Sequence, residues 1–373
     1  MKIPWSMPYI GEEELKEVID TVKSTWLTMG PRVKKFEKAV SDYLGMKHAI
    51  AVNSGTAALD VALKALDIQP GDEVIVPAMT YIATVNAVTY QGAKPILADI
   101  EPKTYNLDPK DVMKKVTKKT KCIMPIDYGG QSSDYDALME IAEDHNILLV
   151  EDGAESLGGE YKGRKLCTFG EITTTSFHAA KLITSVEGGM VFTNDPELDR
   201  RCRIIRNQGE DSEKKYYHVL LGHNYRMTDL HAAIGLVQFS RLGDVLEKRA
   251  NIVENYTTAL KEFDDLVTLP YVAPKNKHAW FFYTILLSNR EKVVEFLKEH
   301  GIDTRIGWPL PVHQQPVYKK LFSGAKHPIA EKFAEGVLNL PMYYSMTRDE
   351  QDYVIKHLKD AISQFVDEKY ELE

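Results

Sequence analysis

Short apolar runs alternate with amphipathic stretches over the first half of the chain. Residues 49–52, 73–77, 95–99, 121–126 and 147–152 read as buried strands. Between them, 57–65 and 81–91 carry helical spacing, and a further helix fits between the last two strands. Two helices precede this pattern, at 12–22 and 34–44, separated by a break over 25–31 that contains Gly30 and Pro31. Strands that are apolar throughout, each followed by a helix, predict a largely parallel sheet covered on both faces, the α/β class.

Near residues 225–229 the character changes. Residues 230–260 read as one long helix, followed by an apolar run at 281–287 and a helix at 292–299. The expected organisation is a large domain over 1–245, with the N-terminal helices, and a smaller α+β domain over 246–373. A length of 373 residues favours such a division, because a single core usually stops growing below that size.

Hydrophobic residues at 44% and charged residues at 27% are ordinary globular values. The net charge of −8 argues against a nucleic-acid partner, so an anionic ligand would need a local site. Cys122, Cys167 and Cys202 are odd in number, far apart and without metal spacing, which predicts small buried hydrophobes and no metal site. No apolar run reaches the length of a membrane span, and the N-terminus turns acidic at once; a cytoplasmic protein without a membrane partner is expected.

Three segments carry candidate chemistry. Asn53-Ser54-Gly55-Thr56 sits at a strand-to-helix turn, where free N–H groups and the helix dipole suit an anion. Its plainer reading is an N-cap through Ser54 or Thr56. Asp152 and Glu155 stand at the carboxyl end of an apolar strand, where ligand sites of parallel sheets lie; capping of the next element is the alternative. Lys181 follows the stretch Ser176-Phe177-His178-Ala179-Ala180 and precedes a Gly188-Gly189 turn, an unusual setting for a surface lysine and a suitable one for a nucleophile toward an aldehyde.

A phosphate cradle, a strand-end aspartate and a lysine in that order resemble the site of fold-type-I pyridoxal-phosphate enzymes. The motifs TWLTMGPRVKKFE, NSGTAAL, GDEVIVPAMTYIATVNAV, VEDGAESLGGEYKG, SFHAAKLITSVEGGM, GHNYRMTDLHAAIGLVQ and GIDTRIGWPLPVHQQP cover most of the chain. Together they resemble the DegT/StrS-type nucleotide-sugar aminotransferases. The resemblance implies a pyridoxal 5′-phosphate cofactor that passes through its pyridoxamine form. It implies Lys181 as the residue that holds the cofactor covalently and moves the proton, and Asp152 as the partner of the pyridine nitrogen. Tyr81 would stack on the ring, and Gly55, Thr56 and Ser176 would bind the phosphate. Asn224 would reach the phosphate from a neighbouring subunit, which makes a homodimer with shared sites.

The resemblance also implies Glu155 near the cofactor's phenolic oxygen, which an ionised carboxylate would repel and a protonated one could donate to. Thr28, His178, Arg226, Arg305 and His313 are implied as substrate contacts, with Arg305 suited to a diphosphate because its planar fork matches phosphate oxygens. His178 and His313 also fit packing or orienting roles. The implied reaction is ping-pong: L-glutamate leaves its nitrogen on the cofactor and a keto sugar on a nucleoside diphosphate takes it up. SFHAAK and EGGM resemble the 4-amination branch (perosamine and 4-amino-arabinose types), favouring a 4-keto-6-deoxyhexose. Alternatives are an aminocyclitol aminotransferase, a sugar dehydratase, which would replace Lys181, and a non-catalytic regulator, which would lose part of the site.

Overall fold

A computed structural model describes residues 1–211 and 213–372 of the chain. Helices α1 (Glu12–Lys23) and α2 (Pro31–Leu44) lead in, with Pro31 at the first helical position of α2, where its fixed φ fits and its missing N–H costs nothing. The alternating part follows as β1 (His48–Val52), α3 (Gly55–Ala65), β2 (Glu73–Pro77), α4 (Ile82–Tyr90), β3 (Lys94–Ala98), α5 (Pro109–Lys115), β4 (Thr120–Ile123), α6 (Tyr135–His145) and β5 (Leu148–Asp152). A hairpin of β6 (Glu160–Tyr161) and β7 (Arg164–Lys165) leads to β8 (Ile172–Ser176) and β9 (Gly189–Thr193).

These strands build a seven-stranded sheet in the order β1-β9-β8-β5-β4-β2-β3. All its pairings are parallel except those of β9, which runs against both β1 and β8. The parallel strands therefore share one carboxyl end, and the turns leaving β1, β2, β5 and β8 gather there. Fully buried Val52, Val76, Val150, Ile172 and Val191 pack one face of the sheet.

β8 is not legible as an apolar run followed by a helix. β8 reads Ile-Thr-Thr-Thr-Ser, yet Thr173, Thr174 and Thr175 are buried, their hydroxyls donating to the carbonyls of Cys167, Glu151 and Gly153 at 2.6, 3.2 and 3.0 Å. Satisfied hydroxyls let a polar-looking strand occupy a core. Gly189, read above as part of a turn, is the first residue of β9; a Cβ there would stand 2.3 Å from the Ser54 carbonyl oxygen.

After the sheet come α7 (Pro196–Arg206), α8 (Asp229–Ser240) and α9 (Leu242–Leu260). The expected single helix over 230–260 is thus two, broken at Arg241 with φ −98° and ψ 4°. The break turns the Arg241 guanidinium onto Glu13 and Glu14 of α1. Residue 245 falls inside α9, which spans two cores: Val245 packs beneath the sheet, whereas Ile252, Tyr256 and Leu260 pack with the C-terminal elements. Those elements are β10 (Thr284–Leu286), α10 (Arg290–Glu299), α11 (Pro328–Gly336), β11 (Val337–Asn339) and α12 (Arg348–Phe365), with β10 and β11 antiparallel. Ile3 belongs to this second core, although the chain's opening residues were grouped above with the first domain. Among the described residues no helix is long and apolar enough to cross a membrane. All three cysteines are buried and unbridged.

Candidate active site

Above the shared carboxyl ends of the strands lies a cavity of about 420 Å³. Asp152, the last residue of β5, forms part of its floor and is only 2% exposed. Its Oδ2 accepts from Thr84 Oγ1 at 2.8 Å and its Oδ1 from the Ala154 N–H at 3.2 Å. Thr84 in turn shares a hydrogen bond with Thr80 at 2.8 Å. Burial pushes the Asp152 pKa up to about 6, and the two hydrogen bonds and the nearby Lys181 charge pull it back. Such a carboxylate is stabilised by a cationic ligand group set against it.

Lys181 lies in the turn between β8 and β9, its side chain 18% exposed. Its Nζ stands 3.3 Å from Glu155 Oε1 and 4.4 Å from the centre of the Phe281 ring. The other Glu155 oxygen accepts from the Gly129 N–H at 2.9 Å. Amine, carboxylate and aromatic face thus meet on one wall of the cavity.

At the end of β1, Ser54 caps α3 by accepting from the Ala57 N–H at 3.0 Å. The plain capping role is therefore filled, and it leaves the anion role available. The first-turn N–H groups of Gly55 and Thr56, which both line the cavity, form no hydrogen bond among the described residues. A Cβ on Gly55 would lie 2.9 Å from Ser176 Cβ, so glycine lets the start of α3 close against Ser176. Free N–H groups, the helix dipole and a hydroxyl converge on one spot.

Tyr81 stands at the N-cap of α4, 58% exposed and on the cavity wall, not in the core. His178 occupies the mouth, where Nδ1 accepts from the Ala180 N–H at 3.2 Å and Nε2 lies 3.7 Å from Glu187 Oε1. Arg305 is on the rim, its guanidinium carbon 5.5 Å from the Trp5 ring centre.

Four expected residues are not brought into this cavity within a single chain, among them Asn224, which was expected to act in a neighbouring subunit's site. Thr28 is tied to Thr228 in the connection between α1 and α2. Arg226 donates to Asn207 Oδ1 at 2.9 Å, and Asn224 pairs through its backbone with Asn207 and faces outward. His313 is 6% exposed, its Nε2 engaged by Glu331 Oε1 at 3.0 Å and its ring beside His327. In the other direction, the sequence reading passed over Thr84, Trp5, Phe281, Phe282, Trp308 and Glu187. Phe281 and Phe282 open the apolar run at 281–287, but β10 begins only at Thr284, and both rings line the cavity.

Comparison with known proteins follows the same lines. Residues 8–359 match the DegT/DnrJ/EryC1/StrS aminotransferase family. The chain is 40% identical to a GDP-perosamine synthase of Caulobacter vibrioides over 97% of this chain and 98% of that one. It is 37% identical to a UDP-2-acetamido-2-deoxy-3-oxo-D-glucuronate aminotransferase of Pseudomonas aeruginosa over 84% and 86%. Among solved structures, Spr1654 of Streptococcus pneumoniae, described as a candidate sugar aminotransferase and crystallised in its PMP form, superposes with a TM-score of 0.93 at 30% identity, over 98% of both chains.

Proposed function

Since the chain belongs to the DegT/DnrJ/EryC1/StrS aminotransferase family, we propose that its cavity transfers an amino group from L-glutamate to the ketone of a sugar carried on a nucleoside diphosphate. The enzyme is a pyridoxal-phosphate-dependent aminotransferase, as its family and its structural neighbours are. The observation that carries the reading is the meeting of Lys181, Asp152 and the free first turn of α3 in one cavity.

Those side chains fit the cofactor. Gly55, Thr56 and Ser176 form a cradle for its phosphate, and buried Asp152 suits a protonated ring nitrogen. When bound, the cofactor supplies an aldehyde and an electron-accepting ring. Lys181 holds it covalently through Nζ and afterwards carries a proton with the same nitrogen. Asp152 keeps the ring protonated, Tyr81 covers its face, and Glu155 sits within reach of Lys181 to orient the amine. His178 faces the incoming sugar at the mouth, and Arg305 takes up the diphosphate.

A homodimer completes this reading. Leu15, Ile19 and Val22 of α1, with Trp26 after it, are 50%, 51%, 54% and 59% exposed, an apolar strip suited to a second copy. Asn224, Thr28 and Arg226 lie outside their own chain's cavity and serve the partner's site or the contact between copies. A cytoplasmic setting accords with three unbridged cysteines.

The favoured acceptor is a 4-keto-6-deoxyhexose, supported by the 40% identity to a GDP-perosamine synthase. The test is amination of UDP-, GDP- and dTDP-linked 3- and 4-keto sugars by purified protein with glutamate. Product from a 4-keto-6-deoxy sugar is expected; product from 3-keto sugars alone would overturn the acceptor, and none from any of them the function.

A further inference from the structure

The opening residues of the chain form part of the cavity's rim. Ile3 is fully buried in the C-terminal core; its N–H donates to the Gly301 carbonyl at 2.8 Å and its carbonyl accepts from the Asp303 N–H at 2.9 Å. Two residues on, the Trp5 carbonyl accepts from the Met342 N–H at 3.1 Å. The half-buried indole is thereby fixed at the cavity edge beside Arg305. Arg305 is pinned in the same way, exchanging backbone hydrogen bonds of 3.0 and 2.8 Å with Asn339. Both backbones are held, and both side chains face the cavity.

Charge is sorted across the space between them. Asp152 and Glu155 lie on the floor side and Glu187 at the mouth. Lys181 is engaged by Glu155, and His178 faces Glu187. Arg305 alone among the described cavity-lining cations has no carboxylate within ion-pair distance, whereas Arg203, Arg206, Arg241 and Arg290 elsewhere in the chain all have one. What holds its guanidinium is the Trp5 ring at 5.5 Å, a partner that attracts the cation without competing for its N–H donors. A diphosphate is repelled by the floor and drawn to the rim, where a planar fork can meet two oxygens together.

We propose that Trp5 is a positioning residue for the acceptor: by holding Arg305 at the rim it seats the diphosphate there, and so turns the attached sugar inward to Lys181. The proposal rests on reading the cavity as a nucleotide-sugar aminotransferase site and makes the N-terminal segment part of the substrate site.

The experiment compares Trp5→Ala, Trp5→Phe and Arg305→Ala, measuring KM for the nucleotide-linked ketone against KM for glutamate in the same protein, together with calorimetric binding of the matching nucleoside diphosphate. Trp5→Ala should raise the acceptor-to-donor KM ratio about tenfold and Arg305→Ala about a hundredfold, with nucleoside diphosphate binding weakened in parallel. Trp5→Phe, which keeps a ring face, should remain within about threefold of wild type. If Trp5→Ala does not fold, Trp5→Leu keeps part of the apolar bulk without a ring and is expected to behave as the alanine variant. An unchanged KM ratio in Arg305→Ala and the ring-less variant overturns the subsite, as does a phenylalanine variant as impaired as the alanine or leucine one. A wild-type chain that aminates no nucleotide-linked ketone overturns the functional reading and the subsite together, whereas active wild type with unaffected variants overturns the subsite alone.

Discussion

Glu151 and Asp152 are consecutive acids on β5, both buried, and the fold treats them in opposite ways. Side chains alternate along a strand, so the two face opposite sides of the sheet. On one side Glu151 accepts from the N–H groups of Cys167 and Phe169 and lies against Asp127, whose carboxylate is itself served by Ser133, Tyr135 and Ser156. Burial and the Asp127 charge push the Glu151 pKa well above its ordinary value. Every group there is answered from within the chain. On the other side Asp152 has one threonine hydroxyl and one N–H, and the cavity beyond. A structural acid is closed off by its own protein; a ligand-binding acid is left partly unanswered, and the ligand supplies the rest.

Several substitutions break or sharpen that contrast. The largest effect belongs to the amine that shares Asp152's cavity: Lys181→Ala abolishes the cofactor adduct trapped by borohydride, and an adduct mapped to a different lysine would refute the assignment. Asp152→Asn is next, with turnover reduced about a thousandfold as the ring loses its counter-charge, and thermal unfolding nearly unchanged. Near-normal rates would remove Asp152 from the mechanism.

The pH dependence of the cofactor-free chain isolates the contribution of Asp152. A carboxyl whose folded pKa is raised to about 6 from 3.8 binds more protons folded than unfolded between those values, so its contribution to stability falls as pH rises through that window, by roughly 3 kcal/mol. Asp152→Asn should flatten this part of the profile, as read from denaturant midpoints between pH 4 and 6. Identical slopes in both proteins would exclude Asp152 as the source.

Glu151→Gln should do the reverse of Asp152→Asn. Both Glu151 oxygens accept backbone N–H groups, so an amide nitrogen must oppose one donor, at a cost of about 2 kcal/mol in stability with turnover within about threefold. A loss of turnover without a loss of stability would erase the distinction. The smallest effect is expected from Thr84→Val, which removes one hydrogen bond from Asp152: about a fivefold fall in kcat and a shift in the pH at which the bound cofactor's absorbance changes. An unmoved spectral transition would make Thr84 a packing residue only.

The same contrast explains what the sequence discloses. The strand ends bearing Asp152 and Glu155, the turn at Gly55 and Thr56, and Lys181 were legible because a strand-to-helix rhythm and a shared motif order mark them. Thr84 was not, since its hydroxyl is defined by an aspartate 68 positions away. Polar β8 hid because its hydroxyls find carbonyls only once folded, and the α8–α9 break hid because Arg241 is ordinary in a helix until Glu13 and Glu14 meet it. His313 fitted either a contact or an orienting role for the converse reason: a histidine in a motif does not reveal that Glu331 occupies its ring.

The backbone pairing of Ile3 with residues 301–303 has a consequence for biosynthesis. Ile3 is seated on Gly301 and Asp303, far later in the chain, so this edge of the cavity can close only once those residues have been synthesised. A chain truncated before residue 300 keeps the segments that bear Lys181 and Asp152 but leaves Ile3 and Trp5 without a seat, and the long loop that must close makes this a late, slow contact.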